Sequence, residues 1–174
     1  MTYGRALKSA LLSASAFCLV ACSEQKEEAL AYASVEACIK AGIHDSETCQ
    51  AEFEKAEQRH TEVAPRYTGA NSCYTDYGHQ RCYQYRSSRG SFWLPYMVGY
   101  MMAPRGSMLV YTQPLYRPNS DPGNFYTAGN SRIGSVSANG RTQVSRSKVS
   151  RPSPARTRTV SRGGFGSRAV SASS

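Results

Sequence analysis

Cysteine is the residue type in this chain best able to do chemistry, and the six present fall into two groups by position. Cys22 closes the run Leu19-Val20-Ala21-Cys22, behind basic Arg5 and Lys8 and a short apolar stretch, Ala10 to Ala21. That layout is a secretory signal, too short and too weakly flanked to span a bilayer. A plain signal peptidase site wants small residues at both −3 and −1; here −3 is Leu, −1 is Ala, and a cysteine follows. Cys18 competes poorly, because bulky Phe17 would adjoin the scissile bond.

Cys38, Cys49, Cys73 and Cys82 form the second group. An even number in an exported chain reads as two disulfides. Three pairings are open, and the local one is expected: Cys38–Cys49 closing a helical hairpin and Cys73–Cys82 a short loop. A metal site is the alternative, but no C-x-x-C spacing occurs and His44, His60 and His79 form no ligand cluster. Met97, Met101, Met102 and Met108 raise a Cu(I) reading, because thioethers are soft ligands. Methionine is more often adaptable packing, so no metal and no cofactor is expected. The sequence contains no G-x-S-x-G, no H-E-x-x-H, no P-loop and no Gly-rich dinucleotide turn. Its carboxylates cluster in helical stretches as a solvated face would, and few apolar residues are on hand to wall a pocket. The expectation is a protein that is not an enzyme.

The charge is divided along the chain. Ser23 to Arg66 carries ten acids and five bases, whereas Tyr67 to Ser174 carries only Asp76 and Asp121 against fourteen bases. Residues 22–33 read as a tether. Ser34 caps a short helix through Lys40 that Gly42 ends. Asp45 or Ser46 opens a longer helix, with Cys49, Phe53, Ala56, His60 and Val63 on one face and Pro65 as its stop. His60 on that stripe reads as packed, not as a ligand or base. Asn71 or Ser72 caps another turn reaching Gly78.

Phe92 to Pro104 is thirteen residues without a charge, shorter than the ~20 needed to cross a bilayer and interrupted by Pro95 and Gly99. It reads as the spine of a small domain, an interfacial segment or a docking strip, with Phe92, Trp93 and Tyr100 as interaction candidates. Tyr111 to Tyr116 and Asn124 to Ile133 read as short strands. From Ser135 to Ser174 there are eight bases, no acids and one aromatic, Phe165. Such a segment buries too little apolar area to offset its chain entropy and reads as disordered. The fold expected is small α+β: disulfide-stapled short helices, a central Trp/Tyr/Met-rich segment, weak short strands and a disordered basic tail. Its divisions are a signal over 1–21, a tether over 22–33, a domain over 34–134 and the tail over 135–174.

Leu19-Val20-Ala21-Cys22 resembles the lipobox of bacterial lipoproteins. The resemblance implies that the Cys22 sulfur would carry a diacylglycerol, the signal would be cut before it, and the new amino terminus would be acylated. Several acyl chains hold firmly where one is marginal, since each buried methylene contributes about 0.8 kcal/mol. Together with Cys38/Cys49, Cys73/Cys82, Gly90-Ser91-Phe92-Trp93, Gly99-Tyr100-Met101-Met102, Gln113-Pro114-Leu115 and Arg162-Gly163-Gly164-Phe165-Gly166, that run resembles the YgiB-like family. These are uncharacterised lipoproteins of Gram-negative bacteria with no assigned enzymatic activity. The chain departs in its tyrosine-rich stretch from Tyr67 to Tyr85 and in an arginine-heavy linker after Gly134. The resemblance supplies location and architecture but no catalytic residues. Ser23 after the acceptor cysteine points to the outer membrane, with the domain facing the periplasm. The partners expected are the bilayer, through acyl chains on Cys22, and anionic envelope polymers or an envelope protein, with Arg162 and Phe165 as further interaction candidates. Nucleic acid is not expected, since export separates the chain from it. The reading is thus an envelope lipoprotein with a non-enzymatic interaction or structural role. A periplasmic ligand-binding or enzyme-accessory protein, or less readily a copper handler, is the alternative.

Overall fold

A computed structural model of the chain describes residues 24–88, 90–155 and 159–160. The signal, Cys22, Arg162 and Phe165 lie outside the described residues. In chain order come β1 (Lys26–Tyr32), α1 (Val35–Ala41), α2 (Ser46–Val63), β2 (Arg66–Tyr67) and α3 (Ala70–Tyr77). Then follow β3 (Cys82–Ser87), β4 (Gly90–Pro95), β5 (Gly99–Met102), β6 (Gln113–Tyr116) and β7 (Tyr126–Thr127). β8 (Arg141–Ser145), α4 (Arg146–Val149) and β9 (Thr159–Val160) close the described chain. The α+β expectation holds.

The helices form where local chemistry directs them. Ser34 accepts from the Ala37 amide at the start of α1, and Gly42 ends it. Asp45 accepts from the Thr48 amide at 2.7 Å to open α2, and that helix stops at Val63, two residues before Pro65. The third helix starts two or three residues earlier than expected, with Gly69 rather than Asn71 or Ser72 in the capping position. Both disulfides pair locally: Cys38–Cys49 joins α1 to α2, and Cys73–Cys82 joins α3 to β3.

Two sheets result. The first runs β7-β6-β5-β1-β8 and the second β3-β4-β2-β9. Alternation along β1 and β5 divides the first sheet into two apolar faces. Leu30, Tyr32, Tyr100 and Met102 pack with Cys38, Cys49 and Ala56 beneath α1 and α2. Ala29, Ala31, Met101, Leu115 and Val144 pack on the other side with Val110, Ile133 and Val149. A third cluster, rich in tyrosine, joins the second sheet to α3 and Tyr116.

Three sequence expectations change here. The tether over 22–33 does not hold beyond its first residues, because β1 is an inner strand with Ala29 and Leu30 fully buried. Its charged opening, Lys26-Glu27-Glu28, had masked a strand whose second half is apolar. The domain does not end at Gly134 either. Arg141–Ser145 alternates outward Arg141 and Gln143 with buried Thr142 and Val144 and pairs along β1 from Lys26 to Leu30. Arg141 salt-bridges Glu28, and Arg146 lies 3.6 Å from Glu27, so the acidic head and basic remainder meet across this pair. The apolar segment, finally, is not one spine. Phe92 to Pro95 belongs to β4 in the second sheet, and Gly99 to Met102 to β5 in the first.

Candidate functional site

Among the residues singled out from the sequence, Tyr100 is a core residue and not an interaction surface. It is fully buried beneath α2, stacks edge-on to Phe53 at 5.5 Å and donates to the Cys49 carbonyl at 3.3 Å. Phe92 and Trp93 are half-buried. The Arg66 guanidinium sits 5.2 Å from the Phe92 ring centre, and Trp93 meets Tyr74 edge-on at 5.9 Å. The methionines do not converge. Met101 and Met102 point to opposite faces of β5, Met97 packs at the rim of the helix-covered face, and Met108 is 92 % exposed. Among the described residues no group of three or more His, Cys, Asp or Glu could hold a metal ion.

The sequence missed a polar network around His60. The ring is 7 % exposed, with Nδ1 2.9 Å from the Tyr116 hydroxyl and Nε2 3.0 Å from that of Tyr83. Neutral imidazole suits this: one nitrogen donates to a hydroxyl and the other accepts from the second. Burial pushes its pKa down to about 4. Burial likewise raises the Tyr83 hydroxyl above its ordinary value. Nearby, buried Tyr67 donates to the Asp76 carboxylate at 2.7 Å. The tyrosines from Tyr67 to Tyr85, a departure from the family pattern, pack in the third core cluster, and Tyr83 among them joins Tyr116 in satisfying His60. The signal for this was the apolar stripe of α2, which put His60 on the inward face.

Two clefts flank α2. One, of about 690 Å³, lies between α1, α2 and the Tyr83–Tyr96 stack and reaches His60. Its imidazole has both ring nitrogens taken by tyrosines, so the cleft presents no free base there. The other, of about 630 Å³, lies between Thr48, Glu52, Lys55 and Arg59 of α2 and the chain from Met102 to Thr112. Thr112 donates to Glu52, and His44 Nε2 lies 3.2 Å from the Ala103 carbonyl, so the β5–β6 connection is fastened to the helix side.

That connection carries three of the five large apolar side chains exposed among the described residues. Met108 is 92 % exposed, Leu109 42 % and Tyr111 46 %, while Val110 between them is buried. Gly106, at a φ of +79° that favours glycine, makes the turn in which the Ser107 amide donates to the Pro104 carbonyl. The Tyr111 amide donates to the Val149 carbonyl of α4, and the Arg146 amide to the Gln25 carbonyl just before β1. The Met108 tip, α4 and the start of β1 therefore lie at one end of the first sheet. Sequence reading found the methionine but had no means of separating a tip from a core.

Comparison with known proteins covers nearly the whole chain. A UPF0441 protein of Erwinia tasmaniensis is 33% identical, spanning 90% of this chain and 78% of its own length. A UPF0441 protein of Sodalis glossinidius is 31% identical and one of Serratia proteamaculans 30%, each spanning 90% of this chain and 79% of its own. No solved structure matches. The model of a family described as proteins of unknown function, DUF1190, matches residues 26–174.

Proposed function

The chain belongs to the DUF1190 family, the family to which the YgiB-like motifs pointed, and from that membership we propose a membrane-anchored envelope lipoprotein with a non-enzymatic interaction role. The observation that carries the reading is Cys22 itself. It follows Leu19-Val20-Ala21 behind a basic and then an apolar stretch, and the first strand of the domain opens at Lys26. Two disulfides in a domain of this size agree with an oxidising compartment. Ser23 in the next position favours the outer membrane and a domain facing the periplasm. The non-enzymatic part of the reading draws on His60, whose tyrosine partners and depressed pKa suit a packed group better than a base at neutral pH. The partners in this reading are the bilayer and an anionic envelope polymer or envelope protein met through exposed basic and aromatic side chains.

Metabolic labelling with a radioactive fatty acid tests the anchor. The wild type takes up label and partitions with membranes, while Cys22→Ser takes up none and moves to the soluble periplasm. Equal labelling of both chains would overturn the reading.

A further inference from the structure

We propose that the end of the first sheet from which β1 starts is a face that rests on an anionic phospholipid bilayer. Met108 and Leu109 enter the interface there, and Lys148 and Arg151 meet the lipid phosphates. The assignment rests on the anchored reading only for the tether and otherwise stands on the folded surface.

The apolar part is held out by the fold. Val110 is locked into the core, the Gly106 turn fixes the preceding residues, and the Leu109 amide donates to the Ser107 hydroxyl at 3.3 Å. Met108 stands 92 % exposed at the rim of the cleft along α2. A methionine, a leucine and a tyrosine exposed within four residues are costly in water and suit the boundary of a bilayer, where an apolar body and a polar tip are both accommodated. Beside them Lys148 and Arg151 are exposed, and among the described residues no carboxylate salt-bridges either. Their long stems can lie along apolar material while the charge reaches a phosphate. Among the acids near this end, Glu27 pairs with Arg146, Glu24 accepts from the Ser145 hydroxyl, and Asp45 accepts from the Thr48 amide.

The tether gives the orientation. Gln25 is bonded to the first residue of α4, and Cys22 is three peptide links away. Even fully extended, three residues reach only about 11 Å. An acylated Cys22 would therefore hold α4 within that distance of the lipid, on the side where Met108 protrudes. The opposite end of β5 bears Tyr96, 51 % exposed, and lacks such a tether.

The test uses the mature chain from position 22 carrying Cys22→Ser, so that lipidation plays no part. Its binding to phosphatidylglycerol vesicles is compared with binding to phosphatidylcholine vesicles. The parent binds the anionic vesicles. Met108→Ser with Leu109→Ser weakens partitioning about tenfold. Lys148→Gln with Arg151→Gln weakens it about fivefold per charge at low salt and flattens the salt dependence. Tyr96→Ser leaves it unchanged. In a chain with Met108→Trp, fluorescence above the Trp93 background shifts to the blue on vesicles and is quenched by brominated lipid. Disulfide content and melting temperature establish that each variant is folded, and the Met108→Trp result decides if the double serine variant is not. Parent-like binding by the folded double serine variant, equal loss in Tyr96→Ser, or a Met108→Trp emission that stays water-like would each overturn the proposal. None of these outcomes bears on fatty-acid labelling of Cys22, so the two readings fail separately.

Discussion

The two faces of the first sheet are closed by different means. One is covered by α1 and α2, neighbours in sequence, capped by Ser34 and Asp45 and stapled by Cys38–Cys49. The other is covered by Val110, Ile133 and Val149, drawn from distant parts of the chain without a disulfide or a helix longer than one turn. Closing a longer loop costs little: each doubling of its length adds only about 0.6 kcal/mol. A remote, low-complexity segment can therefore supply a sheet edge when it has two inward residues and matched charges. The lesson is that apolar content underestimates where this domain ends.

The strongest way to break that comparison is truncation. Stopping the chain after Gly134 removes β8, Thr142, Val144 and Val149, and the expected loss from the two valines alone is about 3–6 kcal/mol, since each large buried apolar side chain contributes roughly 1.5–3 kcal/mol. Urea unfolding followed by circular dichroism should show no cooperative transition, whereas a chain stopping after Ala155 should keep one. If both truncations unfold alike, the loop-covered face has been overvalued.

The helix-covered face should answer to its staple. Cys38→Ala with Cys49→Ala is expected to cost roughly 2–3 kcal/mol, the range for closing so short a loop. Peptide mapping without reduction should recover the same pair in the wild type; a different partner for Cys38 would undo the contrast between faces.

His60 adds a pH dependence at the end of α2. Its folded pKa of about 4 lies below the ordinary 6.5, so between those values the unfolded chain binds the extra proton. Stability is then level above about pH 6.5 and falls by up to about 3 kcal/mol toward pH 4, at 1.36 kcal/mol per pKa unit. His60→Gln should flatten that fall. Parallel pH profiles for the two chains would remove His60 as the cause.

Smaller effects separate contact from exposure. A side chain at Gly140 would place its Cβ 2.2 Å from the Tyr32 ring, at a φ of +85°. Gly140→Ala should thus cost about 2 kcal/mol, within the range for overpacking. At the bottom of the scale, Met108→Ser should change stability by less than about 0.5 kcal/mol, because its side chain packs against little. A melting curve that drops markedly for Met108→Ser would mean the tip belongs to the core after all.

What could be read beforehand follows how far each feature reaches along the chain. The α1 cap, the start of α2 at Asp45, its stop before Pro65 and the inward stripe of Cys49, Ala56, His60 and Val63 depend on groups a few residues apart. The short strands β6 and β7 also fell where aromatic and β-branched residues predict them. By contrast, β1 hid behind Lys26-Glu27-Glu28, and β8 behind the Ser/Arg composition around it. The alternation in Arg-Thr-Gln-Val-Ser was there to see, but five residues of alternation are weak without a partner strand. Tyr100 and Trp93 looked equivalent in one apolar run, and only membership of different sheets gave one full burial and the other a half-exposed ring.

The sequence by itself determined the division of charge, the helical hairpin with its nearest-neighbour cysteines, and family membership, because each is written in residue identity and short spacing. Only the tertiary structure decided that the acidic opening and the basic remainder pair as adjacent strands, that His60 is satisfied by Tyr83 and Tyr116, and that Met108, α4 and the start of β1 share one end. The reason is physical. Helix ends and short disulfides are closed by groups a few residues away, whereas strand partners and exposed tips are set by which distant segment buries more apolar surface.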